Sequence, residues 1–210
     1  MSERGPAAAV FEFHGAWEDA DAHYQERGWT DGLPIVPPAE ARVREFLRQT
    51  DRDPREIVGI LPPRQGEATV EKLAINAVMA GCRPEYFPVV LAAVEALADP
   101  LFNLDSVQAT THPVAPLIVV HGAYGRRIGV HAGSGCFGPG FRANATIGRA
   151  LRLVIRNVCR AVPGFLDRAT FSWPLRYSFC FAEREEASEW TPLHVQLGYR
   201  PDDSVVTIRS

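Results

Sequence analysis

The sequence predicts a single α+β domain, a mixed or mainly antiparallel sheet packed with helices, with a glycine-rich loop leading into a central helix. Apolar residues recur at helical spacing over 69–80, 84–98 and 146–158. Short runs over 106–111, 117–121, 127–130, 170–182, 194–197 and 205–208 alternate like strands. No shift of composition within the 210 residues marks a second unit, so one domain is expected over 16–210, with a flexible lead-in over 1–15.

Taken in order, 17–27 reads as a short helix stopped by Gly28. The stretch from Trp29 to Pro38 cannot be helical, because three prolines and a glycine remove donors and hold an extended path. Helix resumes over about 39–49, and 55–61 reads as a strand ending at Pro62-Pro63. Residues 69–80 and 84–98 form a helical hairpin: Gly81 closes the first helix, and Pro84 sits where a first turn accepts it. The second of these helices is apolar nearly all round and should be buried. The strands at 117–121 and 127–130 are expected to pair as a hairpin through Gly122-Ala123-Tyr124-Gly125. In the helix over 146–158, Ile147, Leu151, Val154 and Val158 form one stripe.

The net charge of -3 offers no electrostatic reason to expect nucleic acid. No apolar run approaches the ~20 residues that cross a bilayer, and the first residues lack an apolar signal core, so a cytoplasmic protein without membrane contact is expected. Cys82, Cys136, Cys159 and Cys180 form no C-x-x-C pair and should be free thiols in a reducing compartment. Lys72 is the single lysine among 22 lysines and arginines.

The densest chemistry lies in Gly133-Ser134-Gly135-Cys136-Phe137-Gly138-Pro139-Gly140, which runs into a helix through Phe141-Arg142-Ala143-Asn144. Glycines at 133, 135, 138 and 140 suit a backbone whose N–H groups turn toward a ligand, and a helix start favours an anion or a thiolate. Cys136 is therefore the first candidate nucleophile, against the alternative of a tight structural loop. The Gly133-x-Gly135-x-x-Gly138 spacing matches a dinucleotide fingerprint formally, but it follows a hairpin and lacks the acidic residue about 20 positions on, so that reading is set aside.

Arg142 and Asn144 could hold a carboxylate, phosphate or carbonyl oxygen over Gly133, Ser134, Gly135 and Gly138, or Asn144 could simply cap the helix. His131 adjoins the loop and is the preferred base; His112 and His121 lie at strand ends, and His121 reads as a satisfied or exposed strand residue. The histidine spacings match no metal motif, so no metal ligands are assigned. Lys72 and Asn76 share a helix face, and Lys72 could stabilise a thiolate or oxyanion if that helix meets the loop. Cys82 precedes a helix start and is a second thiolate candidate. Glu183 or Glu186 with His194 could serve a metal or general-acid role, although the run Glu183-Arg184-Glu185-Glu186-Ala187-Ser188-Glu189 also reads as a solvated loop.

Four blocks carry a resemblance: Gly28 to Pro38, Lys72 to Tyr86, Gly138 to Ala150, and Tyr177 to Glu183. Together they resemble a bacterial family often encoded beside, or fused to, UGSC-motif (seleno)proteins, over about residues 25–208. The resemblance implies a partner bearing a reactive thiol or selenol, redox or carbon–heteroatom chemistry on a small molecule, and a shared binding site of Lys72, Asn76, Cys82, Arg142, Asn144 and Glu183.

The leading expectation is thus a thiol-dependent small-molecule enzyme, or the substrate-binding subunit of one. Cys136 or Cys82 would be the thiolate, His131 the proton carrier, and Arg142 with Lys72 the charge stabilisers. A non-catalytic partner of a thiol or selenol enzyme, and a metal-dependent lyase or hydrolase using Glu183 and His194, are the alternatives. The buried apolar helices and the proline-rich arm also suggest self-association.

Overall fold

The computed structural model describes residues 6–10 and 12–210; of the lead-in, 1–5 and 11 lie outside the described residues. The fold is a single α+β domain with eight α-helices among the described residues. The chain opens with α1 (Trp17–Glu26) and α2 (Glu40–Leu47), separated by the extended proline-rich segment. A hairpin of β1 (Ile57–Leu61) and β2 (Gly66–Thr69) feeds directly into α3 (Val70–Ala80). The Thr69 hydroxyl accepts the Lys72 amide at the start of α3, and Gly81 ends the helix at φ 85, a left-handed conformation that favours glycine. After a turn at Pro84–Tyr86 comes α4 (Phe87–Ala98), whose apolar faces are buried almost throughout.

Then follow α5 (Leu104–Ala109), β3 (Leu117–His121), α6 (Ala123–Arg127), α7 (Arg142–Asn157), β4 (Cys180–Ala182), α8 (Leu193–Gln196) and β5 (Val205–Arg209). The second sheet has the order β4-β3-β5, with β3 parallel to β4 and antiparallel to β5. The core joins α3, α4 and α7 to this sheet through buried residues such as Leu73, Phe87, Ile118, Ile147 and Leu153. Gly148 lets α7 approach the segment before β4: a Cβ there would lie 2.3 Å from Ser178 Oγ. No single helix among the described residues is long and apolar enough to cross a membrane.

Several expected strands are absent. Residues 106–111 belong mostly to α5, which buries Leu104, Val107 and Gln108 on one side. The 117–121 and 127–130 hairpin does not form: Gly122, at φ 84, caps α6 where the hairpin connection over 122–125 is expected, and β3 finds its antiparallel partner in β5. Of 170–182 only Cys180–Ala182 is strand, because Pro174 opens a 3₁₀ turn. Residues 194–197 are largely α8. The central helix α7 begins at Arg142, four residues before the expected start, so Arg142 and Asn144 lie within its first turn.

A buried ionic network ties α7 to the loops that follow it. Asp167 accepts from Arg152 and Arg176, both at 2.7 Å, and all three side chains are largely removed from water. Burial, followed by the attraction of Asp167 and the repulsion of Arg176, leaves the Arg152 pKa below its ordinary value. Two donors at the margin of this network, Gln108 Nε2 and Arg176 Nε, have no partner among the described residues.

Candidate metal centre

Because β3 and β4 run parallel, their carboxyl ends lie side by side at one edge of the sheet, the position where open α/β sheets commonly place ligands. His121 is the last residue of β3, and Glu183 follows β4 directly, its amide donating to the Val120 carbonyl at 2.9 Å. His121 Nδ1 lies 2.6 Å from Glu183 Oε2, and its Nε2 lies 3.0 Å from Thr207 Oγ1 on β5.

The chain after β4 contributes two further groups. Glu185 turns back so that Oε1 accepts the Gly122 amide at 2.6 Å and Oε2 accepts from Arg126 at 2.5 Å. Gly122 is required here, since a Cβ would lie 2.4 Å from the Asp203 carbonyl oxygen. Burial raises the Glu185 pKa, but the Gly122 amide and the Arg126 guanidinium together outweigh it and hold the group below the usual carboxylate range. Leu193, at the start of α8, donates its amide to both Glu183 oxygens at 3.0 and 3.1 Å. The next residue, His194, is 1% exposed, and neither ring nitrogen has a hydrogen-bond partner among the described residues. Its Nδ1 faces Glu185 Oε1 at 3.7 Å.

One ligand atom each from His121, Glu183, Glu185 and His194 can be chosen so that all lie within 4.8 Å of one another. Two imidazoles and two carboxylates form a neutral-nitrogen and anionic-oxygen set that balances a divalent cation in charge and suits zinc, iron or manganese. Were Nδ1 to turn from the Glu183 carboxylate to an ion, the Nε2–H of His121 would donate to Thr207 Oγ1, the arrangement usual for a ligated histidine. Replacing Thr207 by valine is expected to weaken metal binding by roughly 10- to 100-fold, measured by competition with a chelator; unchanged affinity would show that Thr207 does not orient the ring.

The other sequence-predicted residues fall into separate places. In the glycine loop, Cys136 is half-buried and its amide donates to Gly133 O at 3.2 Å, while Gly138 donates to Gly135 O at 2.7 Å. Ser134, exposed, offers its carbonyl to His131 Nε2 at 3.1 Å, and the His131 ring stacks on Phe141 with centroids 3.8 Å apart. The His131 ring is thus engaged with the loop backbone and an aromatic face rather than with the Cys136 thiol.

Asn144 is not a cap: its side chain accepts from the His131 amide and donates to the carbonyls of His131 and Cys136, knitting the loop to α7. Arg142 donates twice to Gly81 O, closing the end of α3 instead of reaching over the glycines. The loop flanks the cluster nonetheless, since Ala182, one residue before Glu183, donates its amide to the His131 carbonyl at 3.2 Å.

Cys82 lacks the lowered pKa expected of it. Burial pushes its thiol up to about 12, against smaller opposing effects of a hydrogen bond to Thr146 O and of Arg142 and Arg149. Burial likewise lifts Cys159 to about 12 and raises Cys180. Alkylation of the native protein is therefore expected to label Cys136 and spare the other three thiols until unfolding, read residue by residue by mass spectrometry. Comparable labelling of Cys82 would contradict its burial.

Lys72 does not meet the glycine loop. It sits near the start of α3, about 14 Å of helical rise from Gly81, and donates Nζ to the Glu67 carbonyl at 2.8 Å. Asn76 bonds the Lys72 carbonyl and Asn157, and both Lys72 and Asn76 line a different cavity. His112 is exposed, and Glu186 pairs with Arg126 at the surface.

Sequence reasoning singled out Glu183 and His194 but placed His121 and Glu185 elsewhere. The signal that could have found them is positional: a histidine ending one apolar strand and a Glu-x-Glu following another. In comparisons with known proteins, no family model, no curated protein and no solved structure matches the chain.

Proposed function

We propose that the protein is a metal-dependent hydrolase or lyase acting on a small molecule, with His121, Glu183, Glu185 and His194 as its metal ligands. The observation that carries this reading is His194, a buried imidazole whose ring nitrogens lack a hydrogen-bond partner among the described residues and whose Nδ1 faces Glu185 Oε1 at 3.7 Å, beside a second carboxylate and a second histidine. Burying such a ring without a partner costs on the order of 1–3 kcal/mol, a cost that coordination removes. A divalent cation held there supplies Lewis acidity toward a substrate oxygen or water. Were all four residues to ligate it, a six-coordinate ion such as manganese or iron would have room for a substrate oxygen or water, whereas four-coordinate zinc would not.

The chain's own part is to fix the donors. The amides of Gly122 and Leu193 hold the two carboxylates, Thr207 orients His121, and Arg126 keeps Glu185 ionised.

A cytoplasmic setting belongs to the same reading and is supported by four unpaired thiols. The thiol-dependent alternative has its support in Cys136, the one thiol that is not buried. For that alternative, the resemblance to UGSC-associated proteins supports a thiol- or selenol-bearing partner chain.

Protein purified without chelator is expected to carry about one equivalent of manganese, iron or zinc per chain. Turnover of a panel of small esters, amides and hydroxy acids is expected to fall on chelation and return on adding the metal back. No stoichiometric metal, together with no uptake on titration, would reject the proposal.

A further inference from the structure

A second feature stands apart from the His/Glu cluster. A cavity of about 990 Å³ lies among α1, α2, α3 and β2 and is roofed by the segment 6–10. Pockets for small molecules commonly span about 300–1,000 Å³, so this one is large enough for a ligand with a substantial body. Its apolar wall includes Tyr24, Trp29, Val43, Leu47, Ile75 and Met79.

Into this wall is set Glu71, a carboxylate only 4% exposed. Its hydrogen bonds come from the backbone amides of Ala7 and Ala8 in the roof, at 2.8–3.1 Å. No cation pairs with it among the described residues. Lys72, the next residue, turns to the rim and donates to Glu67 O, Arg44 and Arg52 are paired with Glu40 and with Glu56 and Glu95, and the exposed Arg55 at the rim forms no ion pair with Glu71. Amide donors satisfy hydrogen-bonding capacity but leave the net charge in place, and a buried uncompensated carboxylate is unfavourable. An ionised carboxylate also offers about four acceptor positions, more than two amides fill.

We propose that this cavity binds a small molecule carrying a protonated amine on an apolar body, the ammonium meeting Glu71 and the body lying along Trp29, Ile75 and Met79. Charge complementarity selects the cation, and the aromatic and aliphatic wall selects the body. The site makes no use of the metal cluster, so the proposal stands or falls separately from the reading above.

The test is calorimetric titration of the full chain with three probes of one shape: 4-phenylbutylamine, 4-phenylbutan-1-ol and 4-phenylbutyrate. The amine is expected to bind at least about tenfold more tightly than the alcohol, in line with hydrogen bonds to a charged group, and the carboxylate more weakly than either. In Glu71→Gln the amine is expected to lose that advantage while the alcohol keeps its affinity. Equal binding of amine and alcohol to the unaltered protein, tighter binding of the carboxylate, or binding of none of the three at millimolar concentration would overturn the proposal. The comparison on the unaltered protein decides the matter even where the variant folds poorly.

Discussion

Replacing His194 by leucine is expected to abolish metal-linked stabilisation while leaving the metal-free protein as stable as before, or more so. The two halves of that result have separate causes. In the metal-free chain the imidazole is buried with neither nitrogen hydrogen-bonded among the described residues, and an apolar side chain of similar size removes a desolvation cost of about 1–3 kcal/mol. In a metal-loaded chain the same substitution would remove one of the proposed ligands. Affinity should fall by more than the roughly 10- to 100-fold associated with a partner outside the coordination sphere.

At a free metal concentration about a thousandfold above Kd, the unaltered protein should gain about 4 kcal/mol from mass action, a gain that the variant lacks. Thermal unfolding with and without manganese, iron or zinc measures both halves. A purely structural His194 would behave oppositely: the variant would be destabilised in both conditions, and the unaltered protein would show no dependence on metal.

The second large effect is expected at Asp167. Its carboxylate is 4% exposed and neutralises one of two guanidiniums, Arg152 and Arg176, that also approach each other. Asp167→Ala would leave two buried positive charges without a counter-ion, and breaking a buried pair in this way costs about 3–5 kcal/mol. Chemical denaturation should show the loss as a lowered midpoint with an unchanged slope. A loss under about 1 kcal/mol would mean that the guanidiniums escape to water when released. Since Arg152 lies on α7 and Arg176 in the turn before β4, the effect tests how firmly the two are joined.

The helices α3, α4 and α7 were legible because each carries a sustained apolar face with clear stops, such as Gly81 after Ala80. The strands β3 and β5 were legible as short β-branched runs. Residues 106–111 and 194–197 misled for one reason: over four to six positions, a half-buried helical turn and a half-buried strand show the same number of apolar residues. Tertiary contacts then decide, as when Gly122 takes φ 84 to bring its amide onto Glu185 and redirects the chain into α6.

The cluster was half legible for a related reason. Glu183 and His194 are close in sequence and attracted notice together, whereas His121 lies 62 positions from Glu183. Only the parallel pairing of β3 with β4 brings those two together, and neither the partner nor the direction of a strand is written in its own residues. Asn144 and Arg142 were noticed for the right property, polarity at a helix start, but their donors and acceptors are taken up by the backbones of 131, 136 and 81.

The seam between β3 and β4 consists of three facing pairs, Ile118 with Cys180, Val119 with Phe181 and Val120 with Ala182. Between its two sides the chain makes a detour of some sixty residues that includes α7. An ion held by His121 on one side and by Glu183, Glu185 and His194 on the other would act as a clasp at the open end of that seam. It would shorten the detour to a closed ring and turn the briefest junction of the sheet into its firmest. Occupancy of the centre and integrity of the sheet would then be a single property, so a chain that loses its ion loosens first at the strand ends that carry its ligands.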